Sequence, residues 1–90
     1  MITTKQGLKL QKIGNKYMIV EAVDGNINLT NVYSLNPTAA LLWQQAEAGD
    51  QTPQTLAQLL VDSYYIPFDQ ALADVEAQLR TWVDMGIITL

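Results

Sequence analysis

The sequence predicts an α+β fold of the winged helix-turn-helix kind, a three-stranded antiparallel sheet followed by three helices. Two observations carry that expectation. Apolar residues alternate with polar ones through the first 35 positions, as in strands, and from Asn36 they recur every three or four residues, as in helices. Turn chemistry also falls between the periodic segments, at Gly14-Asn15, Asp24-Gly25-Asn26, Gly49-Asp50 and Gly86.

The first strand is predicted around Leu8 and Leu10, which alternate with Lys9 and Gln11. Gly14-Asn15 suits a two-residue hairpin loop, because glycine supplies a positive φ without steric cost. The return strand runs from Tyr17 to Val23. Met18, Val20 and Ala22 fall on one face, and Tyr17, Ile19 and Glu21 on the other. After the second turn, Ile27, Leu29, Tyr33 and Leu35 share a face of the third strand. The break at Thr30-Asn31 predicts that only its second half is regular.

Asn36-Pro37 reads as an N-cap followed by a proline at the first helical position, where the missing N–H costs nothing. Ala39, Leu42, Trp43 and Ala46 then form one apolar face, and Gly49-Asp50 closes the helix. Thr52-Pro53 repeats the same start signal, with Leu56, Leu59, Leu60 and Tyr64 as the second face. The third helix follows Ile66-Pro67, with Phe68, Leu72, Val75, Leu79 and Trp82 in a stripe and Val83 beside it. Gly86 is its natural C-cap, with Ile87 placed for the apolar contact that such caps favour. Ile87 to Leu90 suits a short terminal strand or a tail packed on the core.

Ninety residues fit one domain spanning 1–90, and nothing in the chain repeats. With neither cysteine nor histidine, the chain excludes thiolate and imidazole nucleophiles, disulfides and the usual zinc sites. Ser34 and Ser63 have no histidine to activate them, so a hydrolase triad cannot be assembled. No glycine-rich phosphate cradle is present. Asp69, Asp74, Glu76 and Asp84 share the last helix, but only Asp69 and Glu76, seven residues apart, fall on roughly one face. A solvated helix face explains them better than a metal or acid–base site. Tyr64-Tyr65 reads as core plus rim, and Trp43 and Trp82 read as core. The expectation is a protein that is not an enzyme and uses no metal or cofactor. No apolar run approaches the roughly 20 residues of a membrane span, and Met1 to Leu10 lacks the apolar centre of a signal peptide. A cytoplasmic protein without membrane contact is expected.

Charge divides along the chain. Residues 1–35 hold four lysines against Glu21 and Asp24, a net +2, while residues 36–90 hold Arg80 against seven carboxylates, a net −6. A winged-helix outline raises DNA binding as the rival function, with the last helix in the major groove. That helix offers Arg80 amid Asp69, Asp74, Glu76 and Asp84, which would repel phosphates. Nucleic acid is therefore not an expected partner.

One stretch, Leu35-Asn36-Pro37-Thr38-Ala39-Ala40-Leu41-Leu42-Trp43, resembles the strand-to-helix junction of the PqqD family. Tyr64-Tyr65-Ile66, Ala73-Asp74-Val75 with Leu79, and Gly86-Ile87-Ile88 follow at similar separations, so the likeness covers essentially the whole chain. Pro67 departs from it, standing where an acidic helix cap is common. The resemblance implies a recognition element for ribosomally made, post-translationally modified peptides, such as the precursor of pyrroloquinoline quinone. In such proteins the precursor's leader segment adds as a strand beside the third strand, in a groove walled by the last helix. The leader is then presented to a modifying enzyme such as a radical SAM protein.

An edge strand offers unpaired N–H and C=O groups to any extended peptide, and an apolar groove selects among side chains. Carried onto this sequence, the strand edge is Asn31, Val32, Tyr33 and Ser34. The helical wall is Leu72, Val75, Glu76 and Leu79, with Arg80 set to meet an acidic leader side chain. Leu72, Val75 and Leu79 are equally readable as core. A third reading is a structural subunit whose exposed edge pairs with another protein or with a second copy, giving a homodimer.

Overall fold

A computed structural model describes residues 1–23 and 26–90, with the side chains of residues 23–32 outside the description. The elements run β1 (Thr3–Thr4), β2 (Leu8–Ile13), β3 (Lys16–Val23), β4 (Asn26–Leu35), α1 (Pro37–Ala48), α2 (Pro53–Tyr64), α3 (Phe68–Asp84) and β5 (Ile88–Thr89). The α+β class, the three-stranded antiparallel sheet and the three helices are as the periodicities predict.

The larger sheet has the order β2-β3-β4, antiparallel throughout. Ile13 pairs with Lys16 across Gly14, whose φ of 62° supplies the positive backbone angle that the tight loop demands. Ile19 is paired with Leu10 on one side and Tyr33 on the other, and this row faces the core. The β3–β4 register shifts between Ile19 and Glu21: Tyr33 pairs with Ile19 but Asn28 pairs with Glu21. Four β4 residues therefore stand opposite Val20 alone. Strand geometry continues through Thr30-Asn31, where the sequence predicts a break, and the irregularity is absorbed as a bulge. The common face expected for Ile27 and Leu29 lies outside the described residues.

The helix starts follow local chemistry. Asn36 Oδ1 accepts the Ala39 N–H at 2.7 Å, and Thr52 and Thr55 exchange reciprocal hydrogen bonds as a capping box at the start of α2. Pro67 precedes α3 without a side-chain cap. At the other end Met85 is the cap residue and Gly86, one position later than expected for its role, takes the left-handed conformation (φ 76°). The Ile87 N–H reaches Trp82 O and the Gly86 N–H reaches Val83 O, the bond pair of a Schellman motif.

α1 lies against β1 of the small sheet and against all three strands of the large one, while α2 packs chiefly on α3. Trp43 and Trp82 meet edge to face at the centre, ring centroids 5.3 Å apart, and both are core as expected. The Trp43 indole N–H donates to the Glu47 carboxylate, so burial leaves no polar atom of the ring unsatisfied. Leu56, Leu60, Val75 and Leu79 belong to the same buried cluster as the pair, with Ala57 and Ala71. Two residues expected in the apolar stripes stand at the surface instead: Tyr64 and Phe68 are exposed.

The N-terminus adds two features that the sequence expectations lack, strand β1 and the burial of Ile2. β1 pairs antiparallel with β5, Thr3 opposite Thr89 and Thr4 opposite Ile88, making a second, two-stranded sheet. Ile2 is buried in the same cluster as Ile87 and Ile88, and its N–H donates to Gln51 O at 3.1 Å. Of the two readings open for Ile87 to Leu90, the strand is the one adopted. Among the described residues, no helix is long and apolar enough to cross a membrane.

Candidate functional site

The large sheet ends on β4, which has β3 on one side and, among the described residues, no hydrogen-bonded strand on the other. Each residue of an edge strand turns its main-chain polar groups alternately inward and outward, so β4 carries a row of groups that β3 does not use. In its second half the pleat sorts the side chains. Tyr33 and Leu35 are half-buried against the core, and Ser34 is exposed. Asn31 and Val32 belong to the same strand, and their side chains lie outside the described residues.

α3 distributes the other expected residues over two environments. Val75 is fully buried and Leu79 is 2% exposed; both sit in the central cluster with Trp82. For Val75 the core reading is the one the structure supports, because no part of the side chain is open to a ligand. Leu72 is half-buried, and Glu76 and Arg80 are exposed. At 100° per residue, Leu72, Glu76, Leu79, Arg80 and Val83 share one flank of the helix, beside the buried stripe.

Part of that flank walls a cavity of about 240 Å³, lined among the described residues by Pro53, Glu76, Leu79, Arg80, Val83 and Leu90. Most of its lining is apolar, from Leu79, Val83, Pro53 and Leu90. Its rim carries one acid and one base, Glu76 and Arg80, on successive turns of α3. The cavity therefore accepts an apolar side chain and can meet a charge of either sign beside it. Three of the nine expected residues, Glu76, Leu79 and Arg80, come together here. Pro53, Val83 and Leu90 join them without having been expected. Val83 is marked in the sequence as a neighbour of the apolar stripe, Pro53 reads only as a helix start, and Leu90 carries no signal.

Among the described residues no three His, Cys, Asp or Glu side chains converge to hold a metal ion. The described residues thus present two separate features, an open strand edge on β4 and an apolar cavity with a charged rim on α3.

The family model described as coenzyme PQQ synthesis protein D (PqqD) matches residues 18–88. Two solved structures share the fold. One is a lasso peptide synthetase B1 complexed with the leader peptide, 20% identical, with a TM-score of 0.77, covering 99% of this chain and 98% of its own. The other is TbiB1 in complex with the TbiA(beta) leader peptide, 13% identical, with a TM-score of 0.75, covering 96% of this chain and 93% of its own. No curated protein matches the chain.

Proposed function

The chain belongs to the PqqD family, and from that premise we propose that it binds the leader segment of a ribosomally made precursor peptide and hands it to a modifying enzyme. The observation that carries the reading is the unpaired edge of β4. An extended leader laid along it gains main-chain hydrogen bonds whatever its sequence, and side chains on alternate residues then supply selectivity. That both structural neighbours are leader-peptide complexes supports the reading.

In this proposal Asn31, Val32, Tyr33 and Ser34 form the edge that receives the leader. Leu72 and Val75 stand on the helical wall of α3, and Glu76, Leu79 and Arg80 serve through the cavity that they line. Residues 1–90 act as a single recognition module in the cytoplasm. The chain itself performs no chemistry, since it holds no histidine or cysteine and its carboxylates are scattered.

Titration with leader peptides encoded beside this chain, followed by backbone amide NMR, tests the proposal. Shifts concentrated at residues 31–35 and 72–80 are the expected result. If no leader shifts any of these amides, the recognition reading fails.

A further inference from the structure

The open edge of β4 is not one continuous line. The Ala22 N–H donates to Gly7 O at 2.7 Å, and main-chain bonding alternates along a strand. Even-numbered residues of β3 therefore bond towards β2 and odd-numbered ones towards β4. Tyr33 and Leu35, opposite Ile19 and Tyr17, spend their main-chain groups on β3, and Ser34 turns its N–H and C=O to the open side. In the other half Asn26 and Asn28 are the bonded partners of Val23 and Glu21, and Ile27 turns its main-chain groups outward.

Between the two halves the strands fall out of step. From Ile19 to Glu21 β3 advances two residues, while β4 advances five, from Asn28 to Tyr33. The excess of three is odd, so the outward-turning residues change from even to odd across the bulge. Val20, opposite the extra residues, is fully buried although it does not belong to the core cluster. The sheet is thus covered at the bulge on the face turned away from the helices. An added strand, rising about 3.4 Å per residue, passes from Ser34 to Ile27 in the four residues that β3 takes from Met18 to Ala22, where β4 spends seven. No regular strand can bond to both halves in one register.

We infer that the bulge is a register stop for the leader: strand addition runs from the bulge towards Leu35 and cannot slide past it to Asn26–Asn28. This stop presupposes the leader-delivery reading above. Tyr33 and Leu35, half-buried against the core, put the apolar margin of β4 on this side of the bulge. Main-chain bonds are indifferent to sequence, so a uniform edge would hold one leader in several registers, each shift of one residue turning it over. A fixed end to the pairing gives the leader one register, and with it a fixed reach to the enzyme that receives it.

The test is amide hydrogen exchange by NMR on the full chain, free and with a synthetic copy of the leader encoded beside it. In the parent the leader should slow exchange at Ser34 by at least about tenfold, the worth of one hydrogen bond, and at Ile27 by less than about twofold. Deleting residues 30–32 joins Leu29 to Tyr33 and sets Leu29 opposite Val20, which makes the register continuous. In that variant Ile27 should be protected at least about tenfold as well. Protection of Ile27 in the parent, with or without Ser34, overturns the stop and leaves leader delivery standing. So does a folded deletion variant in which only Ser34 is protected. Should the deletion not fold, the parent result decides alone. A leader that protects neither amide defeats the leader-delivery reading, and the register stop falls with it.

Discussion

Asn36 and Gly86 were readable as single letters because their roles are local. A side-chain amide one residue ahead of a proline satisfies an orphan N–H, and a glycine after an apolar run accepts the left-handed angle, whatever surrounds them. Each should therefore be measurable alone. Asn36→Ala should cost about 1 kcal/mol in denaturant titration, through loss of the 2.7 Å bond to Ala39. Gly86→Ala meets no atom within 4 Å of the new Cβ, so its cost, about 1–2 kcal/mol, should be backbone strain alone. Residues whose roles depend on packing were less legible. Leu72, Val75 and Leu79 share one sequence pattern, and small differences in helical angle decide that Val75 is wholly core while Leu72 is half open. Leu79 and Arg80 separate the two kinds of role. Leu79→Ala should lose about 2–5 kcal/mol of stability. Arg80→Glu should leave stability within about 0.5 kcal/mol and weaken binding of an acidic leader, as isothermal titration would show. Unchanged affinity would remove Arg80 from the site.

At the scale of elements, the switch from alternating to helical period was enough to place three long strands and three helices. Long elements bury a stripe, and the stripe writes its period into the sequence. β1 escaped, and β5 was legible only as one of two readings, because two residues cannot display a period and Thr3-Thr4 pairs with Ile88-Thr89 through main-chain groups that leave no compositional trace. The irregularity predicted at Thr30-Asn31 falls on the bulge in β4, but its form escaped for a related reason. Only the register reveals that four residues face Val20, and register is a property of two strands. The edge itself supplies the element-scale prediction. Val32→Pro removes one N–H from β4, and proline is tolerated on edge strands, so the fold should survive by circular dichroism. Leader affinity should drop about tenfold, the worth of one main-chain hydrogen bond. A leader that binds Val32→Pro as tightly as the parent does not add as a strand here.

At the scale of the whole molecule, the division of charge visible in the sequence survives folding. Lys9, Lys12 and Lys16 are exposed on the β2–β3 hairpin, and Lys12 sits 5.7 Å from the centroid of the Tyr17 ring. The exposed acids lie in the helical half: Glu47, Asp62, Asp69, Asp74, Glu76 and Asp84 on helices and Asp50 between α1 and α2. A winged-helix outline alone would permit α3 to enter a DNA groove, but α3 carries four of those acids and a single arginine. Net charge on that face, rather than fold, separates the two functions. The consequence is measurable in salt. A protein that neutralises six to ten phosphates loses roughly 10³–10⁵ in affinity between 50 and 200 mM salt. Strand addition rests on main-chain hydrogen bonds and apolar burial, with Arg80 and Glu76 as its charged contacts, so leader affinity should change less than about fivefold over the same range. Short duplex DNA should show no measurable binding at 50 mM salt. A steep slope with the leader would mean that the lysine hairpin, and not the β4 edge, holds the peptide.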